Sequence, residues 1–261
     1  MNAPKEVAEN YVNIGIGKTK LKTARMFILG ILAGMFIAFA GIAGTTASST
    51  IENASVAKLV GAAVFPGGLA MVLLAGSELF TGNCLLVIPL LEKKVTFPAV
   101  LRSWVFVYLG NFVGGLLVAA LVVYAHLGTL FGGALGESIV STAVTKVSLS
   151  FGDALLRGIL CNILVCIAVW ISFAAKSVGG KIVGLYFPVM FFVLCGFEHC
   201  VANMYYISAG LFASSVYGIE AAGLTWGSFL LNNLLPVTLG NFIGGAAVGC
   251  AYWFVYLKKD E

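Results

Sequence analysis

Between Met26 and Thr46 the chain carries no charged side chain, and five further stretches are nearly as bare. A helix rises about 1.5 Å per residue, so about 20 apolar residues cross the hydrocarbon core of a bilayer. The six stretches cover roughly Met26–Thr46, Ala57–Leu91, Ala99–Tyr124, Ala154–Ala175, Ile182–Leu211 and Leu224–Leu257. Composition agrees: of 261 residues, 60% are hydrophobic and only 10% charged, with a mean hydropathy of +1.02. A soluble domain carries about 25% charged residues. A soluble globule, a disordered chain, a collagen and a small disulfide scaffold are therefore excluded. A net charge of +4 gives no ground for nucleic-acid binding. The sequence describes an all-α, multi-pass membrane protein whose 32 glycines suit close helix packing in lipid.

Basic residues set the orientation, because Lys and Arg accumulate on the cytoplasmic side. With the N-terminus inside, that side collects Lys5, Lys18, Lys20, Lys22, Arg25, Lys93, Lys94, Arg102, Lys176, Lys181, Lys258 and Lys259. Only Lys58, Lys146 and Arg157 remain. The split requires an even number of crossings, so both termini are expected in the cytoplasm and the protein in the plasma (cell inner) membrane. Residues 1–25 are expected to form a cytoplasmic segment, 26–257 the transmembrane domain, and 258–261 a short cytoplasmic tail. The first segment carries Glu6 and Glu9 and leads into a span too long for a signal peptide. It can close the cytoplasmic mouth or lie as a solvated interfacial helix.

The second and fifth stretches are too long and too interrupted for simple helices. Leu59–Leu91 contains one charge, Glu78, and is broken by Pro66-Gly67-Gly68 and Gly76. Ile182–Ile219 also contains one, Glu198, with His199 beside it and Pro188 and Gly196 as breakers. The halves of the chain match in order. GILAG at Gly30–Gly34 parallels GILCN at Gly158–Asn162, GSELFTGN at Gly76–Asn83 parallels GFEHCVAN at Gly196–Asn203, and LGNFVGG at Leu109–Gly115 parallels LGNFIGG at Leu239–Gly245. Repeat one covers about 26–125 and repeat two about 153–257. Three crossings per copy force the second to enter from the opposite side, giving two inverted three-helix repeats with broken second and fifth helices. Paired broken helices place a transport site near the midplane, so Leu79–Asn83 and His199–Asn203 are expected to face each other.

Ionisable groups at this depth are costly and usually face a bundle interior. Glu78 and Glu198 occupy equivalent positions at the helix breaks and read as loop-structuring carboxylates that accept freed backbone N–H groups. His199 has no such symmetry, since its repeat mate is Leu79. An imidazole titrates near neutrality and can donate to an anion or relay a proton. Thr81 could orient it, and Asn162, where repeat one has Gly34, adds a polar contact. Lys146, in the outer loop before the fourth helix, is either a solvated charge or an attractor of anions. The six cysteines form no CxxC, and with only His126 and His199 available no metal site is expected. LGNFVGG and LGNFIGG read as packing surfaces, not phosphate loops.

These motifs resemble the formate/nitrite transporter family over essentially the whole chain. The resemblance rests on AGSELFTGN at Ala75–Asn83, RSWVFVYLGNFVG at Arg102–Gly114, GFEHCVANMY at Gly196–Tyr205 and NLLPVTLGNFIGG at Asn233–Gly245. It implies an aquaporin-like six-helix fold, assembled as a homopentamer with one pore per protomer and no cofactor. It also implies conduction of small monovalent anions (formate, nitrite, hydrosulfide) or their conjugate acids, proton-linked and without chemical conversion. Residue by residue, the resemblance places the central histidine at His199, the gating-loop threonine at Thr81, the helix-four asparagine at Asn162 and the vestibule lysine at Lys146. It places hydrophobic constrictions at Phe65, Leu69, Leu79, Phe80 and Phe192. A neutral-solute pore of aquaglyceroporin type lacks its paired Asn-Pro-Ala repeats here. A membrane-embedded enzyme would need a metal cluster, paired haem histidines or a nucleophile–base set, and a structural scaffold would need no polar group at mid-depth.

Overall fold

A computed structural model describes residues 1–259, so of the tail at 258–261 only Lys258 and Lys259 are described. The described residues form ten main helices: α1 (Pro4–Lys20), α2 (Thr23–Ser48), α3 (Ala54–Leu74), α4 (Phe80–Leu91), α5 (Phe97–Tyr124), α6 (Ala134–Val147), α7 (Phe151–Ala174), α8 (Val178–Leu194), α9 (Cys200–Tyr217) and α10 (Ser228–Tyr256). No strand occurs among the described residues. The second crossing is the pair α3 and α4, and the fifth is the pair α8 and α9. This all-helical membrane fold has six crossings arranged as two inverted repeats.

The repeats are longer than the three spans suggest, because α1–α5 and α6–α10 correspond helix for helix. From the sequence, α6 is expected in an outer loop. Instead its apolar face, with Leu135, Ile139, Val140, Ala143 and Val147, is buried against the bundle. The segment 1–25 is likewise not a loose appendage. Val7, Ala8 and Tyr11 of α1 pack with Val169 and Trp170 of α7, next to Tyr252 and Tyr256 of α10. Both ends of the described chain therefore lie on one face, called here the terminal face. The opposite one is the far face.

Each helix break has a local cause. Gly76 and Gly196 sit at φ +81° and +70°, where a side chain is strained, so the chain turns there and α4 and α9 start afresh. α5 crosses α2, and α10 crosses α7, at backbone contact. A Cβ on Gly114 would collide with the carbonyl oxygen of Ile31, and one on Gly244 with that of Ile159. In lipid this close approach substitutes dispersion contacts for a hydrophobic driving force.

Candidate functional site

The re-entering helices α4 and α9 begin inside the bundle, and their first N–H groups need acceptors. Asn111 of α5 clamps the first break. Its Oδ1 accepts the Phe80 N–H at 2.9 Å, while its Nδ2 donates to the carbonyls of Gly30 (2.8 Å) and Glu78 (3.0 Å). Asn241 of α10 repeats this on Cys200 N (2.9 Å), Gly158 O (2.8 Å) and Glu198 O (2.9 Å). The LGNF segments thus do more than pack: each buried amide fastens three chain segments together. The sequence signal was a polar residue at the same repeat position in two apolar spans.

The two carboxylates serve another purpose than capping N–H groups. Glu78 accepts Lys18 Nζ on both oxygens at 2.8 Å and Asn83 Nδ2 at 2.7 Å. Glu198 accepts Lys146 Nζ at 2.9 Å, Asn203 Nδ2 at 2.6 Å and Asn233 Nδ2 at 3.3 Å. Lys146 is therefore not a solvated loop charge. It lies in the last turn of α6 with 15% of its side chain exposed, as Lys18 lies in the last turn of α1. Lys18 and Lys146 are 128 positions apart, as are Gly30 and Gly158, so the correspondence of α1 with α6 was already present in the spacing. Asn233 is added in repeat two by a π-helical stretch, Ser228–Leu234, where repeat one has Ser103 in an ordinary turn. Arg157 sits outside the cluster with its side chain exposed, and contributes only its carbonyl to Glu198 N–H.

Leu79 and His199 hold the N-cap positions of α4 and α9, both in extended backbone. His199 caps its own helix: Nδ1 accepts the Ala202 N–H at 3.1 Å. That lone pair is engaged, so the neutral ring carries its proton on Nε2, which lies 2.9 Å from Thr81 Oγ1. The ring is buried and stacks on Phe192, with centroids 5.8 Å apart and planes at 19°. Asn162 stands behind this contact. Its Nδ2 donates to Thr81 O (3.2 Å) and Asn241 O (2.6 Å), tying α4 to α10 across α7.

Two cavities approach the His199–Thr81 contact from opposite faces. A far-face vestibule of about 600 Å³ reaches down to His199 and ends at Phe65 and Phe192, whose rings meet edge-on at 5.8 Å. A terminal-face pocket of about 30 Å³ is lined by Leu69, Leu79, Gly82, Asn83, Lys18 and Tyr11. Tyr11 of α1 donates to Gly82 O at 3.3 Å, and Arg102 reaches the carbonyls of Thr19 (2.7 Å) and Leu21 (3.2 Å), so α1 is held over this mouth. Phe80, another of the positions that the resemblance implies, is buried and packs edge-on to Tyr108 at 5.0 Å. Among the described residues no group of three His, Cys, Asp or Glu could hold a metal ion.

A membrane-spanning helical bundle with an internal, two-vestibule passage interrupted by apolar rings is a channel-class architecture. Residues 5–254 match the family described as Formate/nitrite transporter, and the chain belongs to it. It is 41% identical over 263 residues to the Bacillus subtilis protein named Uncharacterized transporter YrhG, covering 99% of this chain and 95% of that one. It is 40% identical over 262 residues to the formate channel BtFdhC of Bacillus thuringiensis, covering 99% and 97%. Among solved structures it resembles a pentameric formate channel with formate bound, with a TM-score of 0.80 and 34% identity over 90% of this chain and 98% of the other.

Proposed function

We propose that this chain passes small monovalent anions across the plasma membrane as their neutral acids, with formate the first substrate to test. The observation that carries the reading is the His199 Nε2–Thr81 Oγ1 contact, set between the apolar rings of Phe65 and Phe192 on one side and Leu69 and Leu79 on the other. Moving a bare carboxylate into such surroundings costs tens of kcal/mol in the idealised limit. Protonating an acid of pKa about 4 at pH 7 costs only about 4 kcal/mol, at 1.36 kcal/mol per unit. Neutralisation is the lower route by a wide margin.

His199 acts here as a hydrogen-bond donor rather than as the proton source. With Nδ1 accepting from Ala202, its one ring proton is engaged toward Thr81, whose own hydroxyl hydrogen is left for the passing acid oxygen. The proton taken up by the anion comes from vestibule water. Each protomer of a homopentamer holds its own pore in this reading, both termini are cytoplasmic, and the cargo leaves chemically unchanged. Twelve of the fifteen Lys and Arg residues on the terminal side support that orientation.

His199→Phe removes the donor, and His199→Asn, whose shorter amide withdraws its N–H from Thr81, keeps an acceptor for the Ala202 N–H. Formate uptake into proteoliposomes across a pH series is expected to fall about tenfold or more in both, the scale of one lost hydrogen bond to a charged or strongly polar group. Unchanged uptake at every pH in both variants removes His199 from the route. α1 acts as a plug over the terminal mouth. Tyr11→Ala, which deletes the contact with Gly82 O, is expected to raise the flux; a flux equal to wild type leaves α1 as packing alone.

A further inference from the structure

On the far face, Lys146 is compensated: its ammonium sits 2.9 Å from Glu198, and the pair has no net charge. Lys58 lines the same vestibule from α3 and is different. Among the described residues no carboxylate lies within 4.0 Å of its ammonium, which donates no hydrogen bond there. It stands seven residues before Phe65 on the same wall, about 10 Å along the axis from the constriction. Ser138, Thr142 and Lys146 follow one face of α6 at spacings of four, and neither hydroxyl donates to a carbonyl among the described contacts. Glu137 also lines the vestibule, from the first turn of α6, where it faces the positive end of that helix. Lys146 is nine residues further down, about 13 Å along the axis. The second repeat has no lysine at the position corresponding to Lys58. At the spacing of 120 that relates Gly76 to Gly196, its mate is Val178.

We propose that Lys58 is the entry residue of the far-face vestibule, an uncompensated cation that with Ser138 and Thr142 forms a weak site for one small monovalent anion ahead of the Phe65–Phe192 constriction. The inference rests on the pore reading above. A compensated pair projects a dipole field, which falls off faster than the field of a lone charge. In a cleft with low-dielectric walls a lone charge raises the local concentration of counter-ions. The site adds capture and leaves the step at His199 untouched.

The test is formate uptake by purified protein in liposomes, at low concentration and at saturation, in buffers of about 10 mM and about 0.5 M ionic strength, across which the screening length shrinks several-fold. Lys58→Gln is expected to lower the low-concentration uptake about fivefold in dilute buffer, to leave the saturating rate unchanged, and to come within twofold of wild type at high salt. Lys58→Arg keeps the charge and should match wild type throughout. An unchanged low-concentration rate for Lys58→Gln in dilute buffer overturns the proposal. So does a defect of equal size at both ionic strengths, or one that Lys58→Arg shares, since each marks packing rather than charge. If wild type itself passes no formate at any concentration, it is the pore reading that fails instead.

Discussion

Asn241→Leu is expected to abolish formate flux and to lower the apparent unfolding temperature in detergent by about 10 °C or more, since three or more kcal/mol are at stake and each shifts a midpoint by about 2–4 °C in a chain of this size. Leucine keeps asparagine's branching at Cγ and carries no polar atom, so all three hydrogen bonds go at once. The Cys200 N–H and the carbonyls of Gly158 and Glu198 lose their buried partner together. Each orphaned buried group costs roughly 1–3 kcal/mol, and Asn241 is fully buried. The Cys200 N–H lies next in the chain to His199, so the break that presents the imidazole loosens first. Asn111→Leu is expected to do the same to the Thr81 side through Phe80 N, Gly30 O and Glu78 O. Melting points within a few degrees of wild type for both variants would sink the clamp argument.

Lys146→Met should be nearly as damaging, and informative because it can be repaired. Removing the ammonium leaves Glu198 buried (side chain 6% exposed) with only two amide donors. Breaking a buried pair on one side costs about 3–5 kcal/mol, whereas removing both charges is often close to neutral. The double variant Lys146→Met/Glu198→Gln is therefore expected to recover most of the lost stability. A thermal-melt cycle over the four proteins measures the coupling; a double variant no more stable than Lys146→Met alone contradicts the ion-pair account. Flux in the repaired protein then separates the two roles of Lys146. Restored stability with uptake still low marks a direct part in drawing anions inward, and full recovery of both marks a purely structural one.

Much of the architecture was already written in the chain. Charge-free runs of about 20 residues dictate membrane helices, the glycine and proline breaks in two of them dictate discontinuous crossings, and three ordered matches dictate an inverted repeat. His199 stood out because its mate is Leu79, an asymmetry visible before any coordinates. These features share a cause: in lipid, backbone satisfaction and the cost of burying charge leave a sequence few alternatives.

The tertiary structure decided what touches what. Periodicity could not show that α6 docks its apolar face into the bundle, because its run is short and rich in hydroxyls and looks like a loop. Nor could it show that Lys18 and Lys146 neutralise Glu78 and Glu198, since partners 60 and 52 positions apart meet only when α1 and α6 fold back on the helix breaks. Asn111 and Asn241 were hidden inside glycine-rich packing motifs, and their function as clamps depends on a carbonyl and an N–H delivered by other helices. Local chemistry specifies which groups must be buried or satisfied; only the assembled bundle specifies which distant groups satisfy them, and in doing so leaves Lys58, among the described residues, as the cation without a partner in the far-face vestibule.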